Sequence, residues 1–180
     1  MIFYFSFMFL FGVWILYPLT LFISSKLHRS DCYYVNNILP VTVIIAAYNE
    51  EVNLVKRCEN IFLQNYGSDI EIVIASDGST DGTKAVVTNL KKQYKNIVFI
   101  DIHPQKGRSN AHNEAILQAS HEILIFTDAE TIFEADCISN LVKPFAKNDV
   151  GFVSGTLKYM NQGINVVSES VGLYWKFEMF

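Results

Sequence analysis

Two carboxylates lie two positions apart at the end of an apolar run, and they are the side chains of this sequence best placed to do chemistry. The run is ILIFTDAET, residues 123–131, in which Asp128 and Glu130 follow four apolar residues and a threonine. Carboxylates this close repel one another unless a cation or a shared proton relieves them. A hard divalent ion with oxygen ligands is the usual partner. The pair therefore predicts a site for Mg²⁺ or Mn²⁺, and helix capping is the alternative that the residues leave open.

Polar side chains also follow the other strands that the sequence predicts. They are Tyr48, Asn49 and Glu50 after the first strand, Asp77 after the second, and Lys106 and Arg108 after the third. In an open α/β sheet the ligand cleft lies beyond the carboxyl ends of the strands, so these groups are expected to face one rim. Lys106 or Arg108 would clamp a diphosphate held through the metal, and Asp77 would bond a base N–H or a ribose hydroxyl. The plainer alternatives are helix caps for Asn49 and Asp77 and a solvated loop for the two basic residues.

The elements that must position these groups alternate along the chain. Apolar, β-branched runs predict strands over residues 41–48, 70–77, 96–102, 121–129 and 151–160. Helical spacing predicts helices over 50–64, about 81–94 and 134–146, and a loop followed by a helix over 106–120. Asn49 is the predicted N-cap of the first of these helices. Strands that are apolar throughout and joined by helices indicate an α/β fold with a mostly parallel sheet covered on both faces.

Residues 2–25 contain no charged side chain. As a helix this segment would be roughly 36 Å long, and the hydrocarbon core of a bilayer is about 30 Å thick. Lys26, His28 and Arg29 follow it and no basic residue precedes it, which predicts that the rest of the chain is cytoplasmic. A cleaved signal peptide is disfavoured because Met1 is not followed by a basic residue. The predicted organisation is a single-pass membrane helix over 1–25, a connector over 26–39 and an α/β domain over 40–180.

Composition and missing motifs exclude several other classes. The net charge is −4 with no dense basic block, so nucleic acid is not an expected partner. Cys32, Cys58 and Cys137 are widely spaced and predict neither a disulfide framework nor a zinc site. The turn AAYNEE after the first strand lacks the glycines of a dinucleotide-binding loop, and no P-loop motif occurs.

Four segments in series resemble glycosyltransferase family 2 with a GT-A fold. They are VTVIIAAYNEE, IVIASDGSTDGT, KGRSNAHNEAI and ILIFTDAET, and the resemblance covers roughly residues 40–161. The membrane-anchored processive branch, which makes polysaccharides, is the most similar. The resemblance implies transfer of a sugar from a nucleotide-diphosphate sugar, a UDP-sugar in the first instance, to the hydroxyl of a carbohydrate or lipid-linked acceptor. It also implies inversion at the anomeric carbon and dependence on Mg²⁺ or Mn²⁺.

The resemblance also implies a role for each matching position. Ala47, Tyr48, Asn49 and Glu50 would line the nucleotide pocket, Asp77 would contact the uracil or its ribose, and Lys106 and Arg108 would lie near the base or the phosphates. Asp128 and Glu130 stand where the family has its D-x-D motif, with Asp128 holding the nucleotide sugar and Glu130 the metal. The family's last acid is an aspartate, so this chain departs from the pattern by one methylene. The catalytic base of similar enzymes lies in a later acidic motif that this sequence does not contain, so none is assigned.

Two other functions stay open at this point. The chain, which ends at Phe180 within an aromatic stretch, is expected to be incomplete there, so it could be a non-catalytic nucleotide-sugar binder or a subunit that needs a partner. A phosphohydrolase of the haloacid dehalogenase type is the other alternative, because ILIFTDAE resembles its strand-then-acid motif. Glu130 and Ile132, however, occupy the positions where that motif has aspartate and then threonine or valine.

Overall fold

A computed structural model describes residues 2–27, 38–147 and 149–158. These residues fall into two units, an N-terminal helical segment and an α/β unit, and each is described by itself. The N-terminal segment consists of helix α1 (Ile2–Phe11), a π-helical turn (Gly12–Leu16) and helix α2 (Tyr17–Leu27). Residues Phe3–Ser24 are long and apolar enough to cross a membrane, a test that a signal sequence also passes. The helical segment lies where the membrane helix is predicted.

The α/β unit is a four-stranded parallel sheet with helices on both faces. Its elements are β1 (Val41–Ala47), α3 (Leu54–Phe62), β2 (Ile70–Asp77), α4 (Thr83–Gln93), β3 (Ile97–Ile102), α5 (Arg108–Gln118), β4 (Ile123–Thr127), α6 (Cys137–Val142) and a 3-10 turn (Lys143–Ala146). The strand order is β3-β2-β1-β4, and all three pairings are parallel. The chain therefore runs outward from β1 to β3 and returns to the other side of β1, which makes the β1–β4 boundary a topological switch point.

The burial of the strands explains why the sequence pattern predicts them well. Every residue of β2 is buried, and six of the seven residues of β1 are buried. One face of the sheet packs against α3, α4 and α6, and the other packs against α5. Because both faces are covered, a continuous apolar run is the expected pattern for each central strand.

Three sequence expectations are corrected by the structure. The predicted fifth strand over 151–160 is not formed within residues 151–158, the part of it that the structure describes. The helix predicted over 134–146 is shorter and ends in a 3-10 turn. The helix predicted from residue 50 begins at Leu54, because a turn occupies residues 51–53 and the N–H groups of both Asn53 and Leu54 donate to the carbonyl of Glu50.

A buried polar cluster lies near the amino ends of the strands. The Glu71 carboxylate accepts hydrogen bonds from the Thr42 hydroxyl at 2.7 Å and from the Ser120 N–H and hydroxyl at 2.9 and 2.7 Å. Burial alone would raise the pKa of Glu71, but these hydrogen bonds outweigh it, so the pKa of Glu71 lies below its ordinary value. The cluster joins β1, β2 and the connection between α5 and β4 at the end of the sheet away from Asp77 and Asp128.

Candidate functional site

A cleft of about 320 Å³ lies at the carboxyl ends of the strands, over the switch point between β1 and β4. Its size is within the range of roughly 300–1,000 Å³ that is usual for small-molecule sites. The lining residues are Ala46, Ala47, Tyr48, Glu50, Asp77, Gln105, Gly107, Arg108, Asp128, Ala129 and Glu130. Parallel strands bring residues from four separate parts of the sequence to this one rim.

The loop after β1 is hydrogen-bonded to the loop after β2 through Asn49. Asn49 has a positive φ of 56°, which asparagine tolerates better than most residues. Its backbone N–H donates to the Ser79 hydroxyl at 3.1 Å, and its side-chain oxygen accepts the Thr80 N–H at 2.8 Å. The prediction that Asn49 caps the following helix is therefore wrong, because its side chain bonds the neighbouring loop. Asn49 does not line the cleft but holds Tyr48 and Glu50 in place beside it.

Glu50 and Glu51 add hydrogen bonds between the loop after β1 and the start of α4. The Glu50 N–H donates to the Thr83 hydroxyl at 2.9 Å, and the Glu51 carboxylate accepts the Gly82 N–H at 2.6 Å. The Glu50 carboxylate accepts a hydrogen bond from the Asn53 side-chain amide at 2.8 Å. The start of α4 is thus bonded to the loop after β1, and that loop presents Tyr48, whose side chain is 49% exposed, to the opening of the cleft.

Asp77 holds the loop that follows β3. Its carboxylate is 4% exposed and accepts the backbone N–H groups of Lys106 at 2.8 Å and Gly107 at 2.7 Å. It does not cap α4, whose first N–H, that of Thr83, donates to Asp81 at 3.0 Å. The capping alternative for Asp77 is therefore wrong. A buried carboxylate with two backbone donors is a structural anchor, and Asp77 combines this role with a place in the cleft wall.

Gln105 belongs to the cleft but no sequence signal indicated it. It packs against Gly78, which has a positive φ of 74°, and a β-carbon built on Gly78 would lie 2.8 Å from the β-carbon of Gln105. Glycine at position 78 therefore allows the loop after β3 to approach β2 closely. The loop reaches the cleft because of this approach and the Asp77 bonds, while the Lys106 side chain, predicted as a clamp, is exposed and does not line the cleft.

Arg108 and Asp128 form an ion pair across the cleft. Arg108 is the first residue of α5, and Asp128 follows the last residue of β4. Their side chains are 62% and 54% exposed, so the pair is solvated and contributes only about 0–1 kcal/mol. A pair this weak can open at little cost, which leaves Arg108 free for an anion and Asp128 free for a cation.

The oxygen donors at the end of β4 fit a hard divalent ion. Asp128 and Glu130 both line the cleft, and the Asp128 carboxylate already has a cationic partner. Among the described residues there is no group of three or more His, Cys, Asp or Glu side chains that could hold a metal by itself. Two carboxylates fill only part of an octahedral shell, so an ion held here would need further oxygen ligands from outside these two side chains.

The sequence matches the family model described as glycosyl transferase family 2 over residues 42–176. Among curated proteins, the chain is 31% identical over 123 residues to the poly-beta-1,6-N-acetyl-D-glucosamine synthase of Staphylococcus epidermidis and 29% identical over 142 residues to that of Staphylococcus aureus. These alignments cover 68% and 78% of this chain but 29% and 34% of the two synthases. The chain thus spans about a third of the length of the curated relatives it matches.

Solved structures share the fold. The mannosyltransferase PcManGT from Pyrobaculum calidifontis, in complex with GDP-Man and Mn²⁺, is 28% identical with a TM-score of 0.70 over 80% of this chain and 44% of its own. TarS of Staphylococcus aureus, residues 1–349 in complex with UDP-GlcNAc, is 22% identical with a TM-score of 0.52 over 57% of this chain and 30% of its own, a likeness that concerns the fold alone. These likenesses confirm the predicted α/β fold of the GT-A type.

Proposed function

This chain belongs to glycosyl transferase family 2, and we propose that it is the donor-binding portion of a membrane-anchored polysaccharide synthase. The observation that carries the proposal is the cleft over the switch point, where Asp128, Glu130 and Arg108 converge beside the Asp77-anchored loop. The reaction is transfer of a sugar from a nucleoside diphosphate to an acceptor hydroxyl on a growing carbohydrate or a lipid-linked sugar, with inversion at the anomeric carbon. The two synthases matched in sequence support N-acetylglucosamine as the sugar, and UDP-GlcNAc is the first donor to test.

Different residues around the cleft bind different parts of the donor in this proposal. Tyr48, half exposed at the opening, offers a ring for the base to stack on. The small side chain of Ala47 leaves space for the donor at the end of β1, and the loop held by Asp77 forms the adjacent wall of the cleft. Arg108 is placed to pair with the diphosphate once it leaves Asp128. These residues bind and orient the donor, and the base that deprotonates the acceptor is not assigned to any residue of this chain.

Asp128 and Glu130 would hold Mg²⁺ or Mn²⁺ together with the diphosphate. The bound ion supplies stabilisation of the negative charge on the departing nucleoside diphosphate. The structural relative in complex with GDP-Man and Mn²⁺ supports this assignment. Because the carboxylates alone supply too few ligands, metal and nucleotide are expected to raise each other's affinity by the same factor.

Binding of UDP to the full chain in detergent tests the proposal. We expect UDP to bind at least about tenfold more tightly with Mn²⁺ than with EDTA, within the usual range of coupling between two ligands. Glu130→Gln should remove most of this ratio and spare binding in EDTA, because it deletes charge and keeps shape. Asp128→Asn should lower both the ratio and the UDP affinity in EDTA, because Asp128 is expected to contact the nucleotide as well as the metal.

Glu122→Gln is the matched control, since Glu122 is an exposed carboxylate directly before β4, at the end of the strand away from the cleft. It should leave both affinities unchanged. Equal UDP affinity with Mn²⁺ and with EDTA in the unmutated chain would remove the metal from the proposal. The capping alternative for Asp128 and Glu130 would not replace it, because α6 begins at Cys137 with Asp136 at its N-cap. No UDP binding in either condition would refute the nucleotide site itself.

Residues 2–25 are proposed as the membrane anchor, with the α/β unit on the cytoplasmic side. The uncharged helix and the basic residues that follow it support this orientation. Ser30 lies outside the described residues and just after the anchor, so a single cysteine there, in a chain without its native cysteines, reports the side. Labelling of that cysteine from outside intact cells would contradict the orientation.

A further inference from the structure

One turn of α3 holds both ends of the segment that carries the two cleft carboxylates. This segment, residues 128–133, is called the carboxylate segment below. It contains no helix or strand, and the backbone hydrogen bond from its Thr131 N–H to its Asp128 carbonyl is long at 3.4 Å. Its shape must therefore come from contacts with other elements.

Arg57 holds the start of the carboxylate segment. Its Nη2 donates to the Thr127 hydroxyl at 2.7 Å, and Thr127 is the last residue of β4, directly before Asp128. Side chains alternate across a strand, and Thr127 points to the face that packs against α3. Asp128 therefore points to the opposite face, where it meets Arg108 of α5. The bond from Arg57 thus holds the last residue of β4, directly before the point where Asp128 enters the cleft.

Asn60, one turn after Arg57, holds the end of the carboxylate segment. Its side-chain oxygen accepts the Phe133 N–H at 2.8 Å, and its side-chain nitrogen donates to the Phe133 carbonyl at 3.0 Å. Nη1 of Arg57 donates to the same Asn60 oxygen at 2.8 Å, and the guanidinium lies 3.9 Å from the centre of the Phe133 ring. Both anchors are thus joined through one guanidinium.

The position of Arg57 is costly for the fold. The residue is 1% exposed, and burial lowers the pKa of Arg57 to about 10. No ion pair to a carboxylate is recorded for it within the part of the chain that the structure describes, and its buried Nε–H finds no hydrogen-bond partner there. A buried cation with only neutral partners is unfavourable, and an apolar side chain of similar length would avoid that cost. The features that distinguish Arg57 from such a side chain are its two hydrogen bonds and the contact of its guanidinium with the Phe133 ring.

We infer that Arg57 is a positioning residue, which acts through Thr127 and Asn60 to hold Asp128 and Glu130 in the geometry that binds the metal and the diphosphate. The inference rests on the proposed function for its ligand and on the described contacts for its mechanism. Arg57 touches neither ligand in this scheme. Its loss should therefore affect the metal-dependent part of nucleotide binding and spare the part that Tyr48 and the Asp77-anchored loop supply.

The test compares two substitutions of Thr127 in the full chain. Thr127→Val keeps the shape but removes the hydroxyl that Arg57 bonds, and Thr127→Ser keeps the hydroxyl. We expect Thr127→Val to reduce the ratio of UDP affinity in Mn²⁺ to that in EDTA by about tenfold, the scale of losing a hydrogen bond to a charged group. Thr127→Ser should retain the ratio. Arg57→Met should reduce the ratio at least as much as Thr127→Val does, because it removes the bond to Asn60 as well as the bond to Thr127. The double variant should lose no more than Arg57→Met alone.

Val87→Ala controls for stability, because Val87 is fully buried in the same core but lies on α4. It should lower the unfolding midpoint and leave the affinity ratio unchanged. Equal ratios for Thr127→Val and Thr127→Ser would overturn the inference. So would a drop in the ratio for Val87→Ala of the same size, because the effect would then follow stability alone.

Hydrogen exchange of the ligand-free chain decides the inference even if the metal part of the proposed function fails. Thr127→Val and Arg57→Met should speed exchange in peptides that cover residues 128–137 and leave peptides from β1 and β2 unchanged. Thr127→Ser should exchange as the unmutated chain does. Uniform acceleration across the sheet, or none in residues 128–137, would show that Arg57 does not hold the carboxylate segment.

Discussion

Replacement of Asp77 is the sharpest test of how the cleft is built. Its carboxylate accepts two backbone N–H groups from the loop after β3, at 2.8 and 2.7 Å. Asparagine keeps the size of the side chain but has one acceptor oxygen, so its NH₂ group would face one of the two donors. Alanine removes both hydrogen bonds. The two variants therefore form a graded series at one position.

The size of the effect follows from the exposure of the partners. A hydrogen bond to a charged group contributes about 1.5–3 kcal/mol. Lys106 and Gly107 are exposed, so water can solvate an N–H that Asp77 releases, and the loss lies at the lower end of that range. We expect Asp77→Asn to lower the free energy of unfolding by about 2 kcal/mol and Asp77→Ala by about 3 kcal/mol. Release of the loop should also weaken UDP binding by about tenfold, or 1.4 kcal/mol.

Urea unfolding and UDP titration of the same protein samples measure both quantities. Asp101→Asn is the control, because Asp101 pairs with Lys84 and His103 on the surface of the neighbouring strand and such pairs contribute no more than about 1 kcal/mol. Unchanged unfolding in Asp77→Asn, with or without a loss of UDP affinity, would refute the anchoring role. A loss of UDP affinity alone would support direct contact with the nucleotide instead.

Three further predictions follow from the described contacts. Arg108→Gln should raise the affinity for Mn²⁺ alone by up to about fivefold, because it removes an exposed ion pair with Asp128 that contributes at most about 1 kcal/mol. The same variant should weaken UDP binding in EDTA, and titration calorimetry measures both affinities. Glu71→Gln should lower the free energy of unfolding by about 2 kcal/mol at pH 7, as measured by urea unfolding. Because the pKa of Glu71 is lowered in the fold, this contribution is complete above the ordinary value of about 4.3 and disappears as the pH falls through the lower folded value, so the two proteins should converge in acid. Gly78→Ala should cost more thermal stability than Gly107→Ala, since both have positive φ but only Gly78 has a close neighbour.

Much of the fold can be read from the sequence because the relevant forces are local or generic. A strand buried on both faces must be apolar at every position, which identifies β1 and β2 without any knowledge of their neighbours. Parallel strands present their carboxyl ends at one rim, which is why Tyr48, Asp77 and Asp128 are correctly expected in one cleft. The glycosyltransferase resemblance follows from the same segments, since they are the strand ends that line the cleft.

The start of α3 shows where local pattern is insufficient. The sequence around Asn49 has the composition of a helix N-terminus, and capping is the usual use of asparagine there. In the structure Asn49 bonds Ser79 and Thr80 instead, so the helix begins at Leu54. The competing partner lies thirty positions along the chain, and it becomes available only when β1 and β2 pair.

The partners of Asp77 and Arg57 were decided by the tertiary structure alone. Asp77 bonds a loop some thirty residues away, and Arg57 bonds Thr127 seventy residues away. A single sequence shows that these side chains can donate or accept, but the choice of partner depends on which strands are neighbours and on the side of the sheet each residue faces. The sequence thus determined which chemical groups reach the rim of the sheet, whereas their pairing depended on strand order and register, which no local interaction specifies.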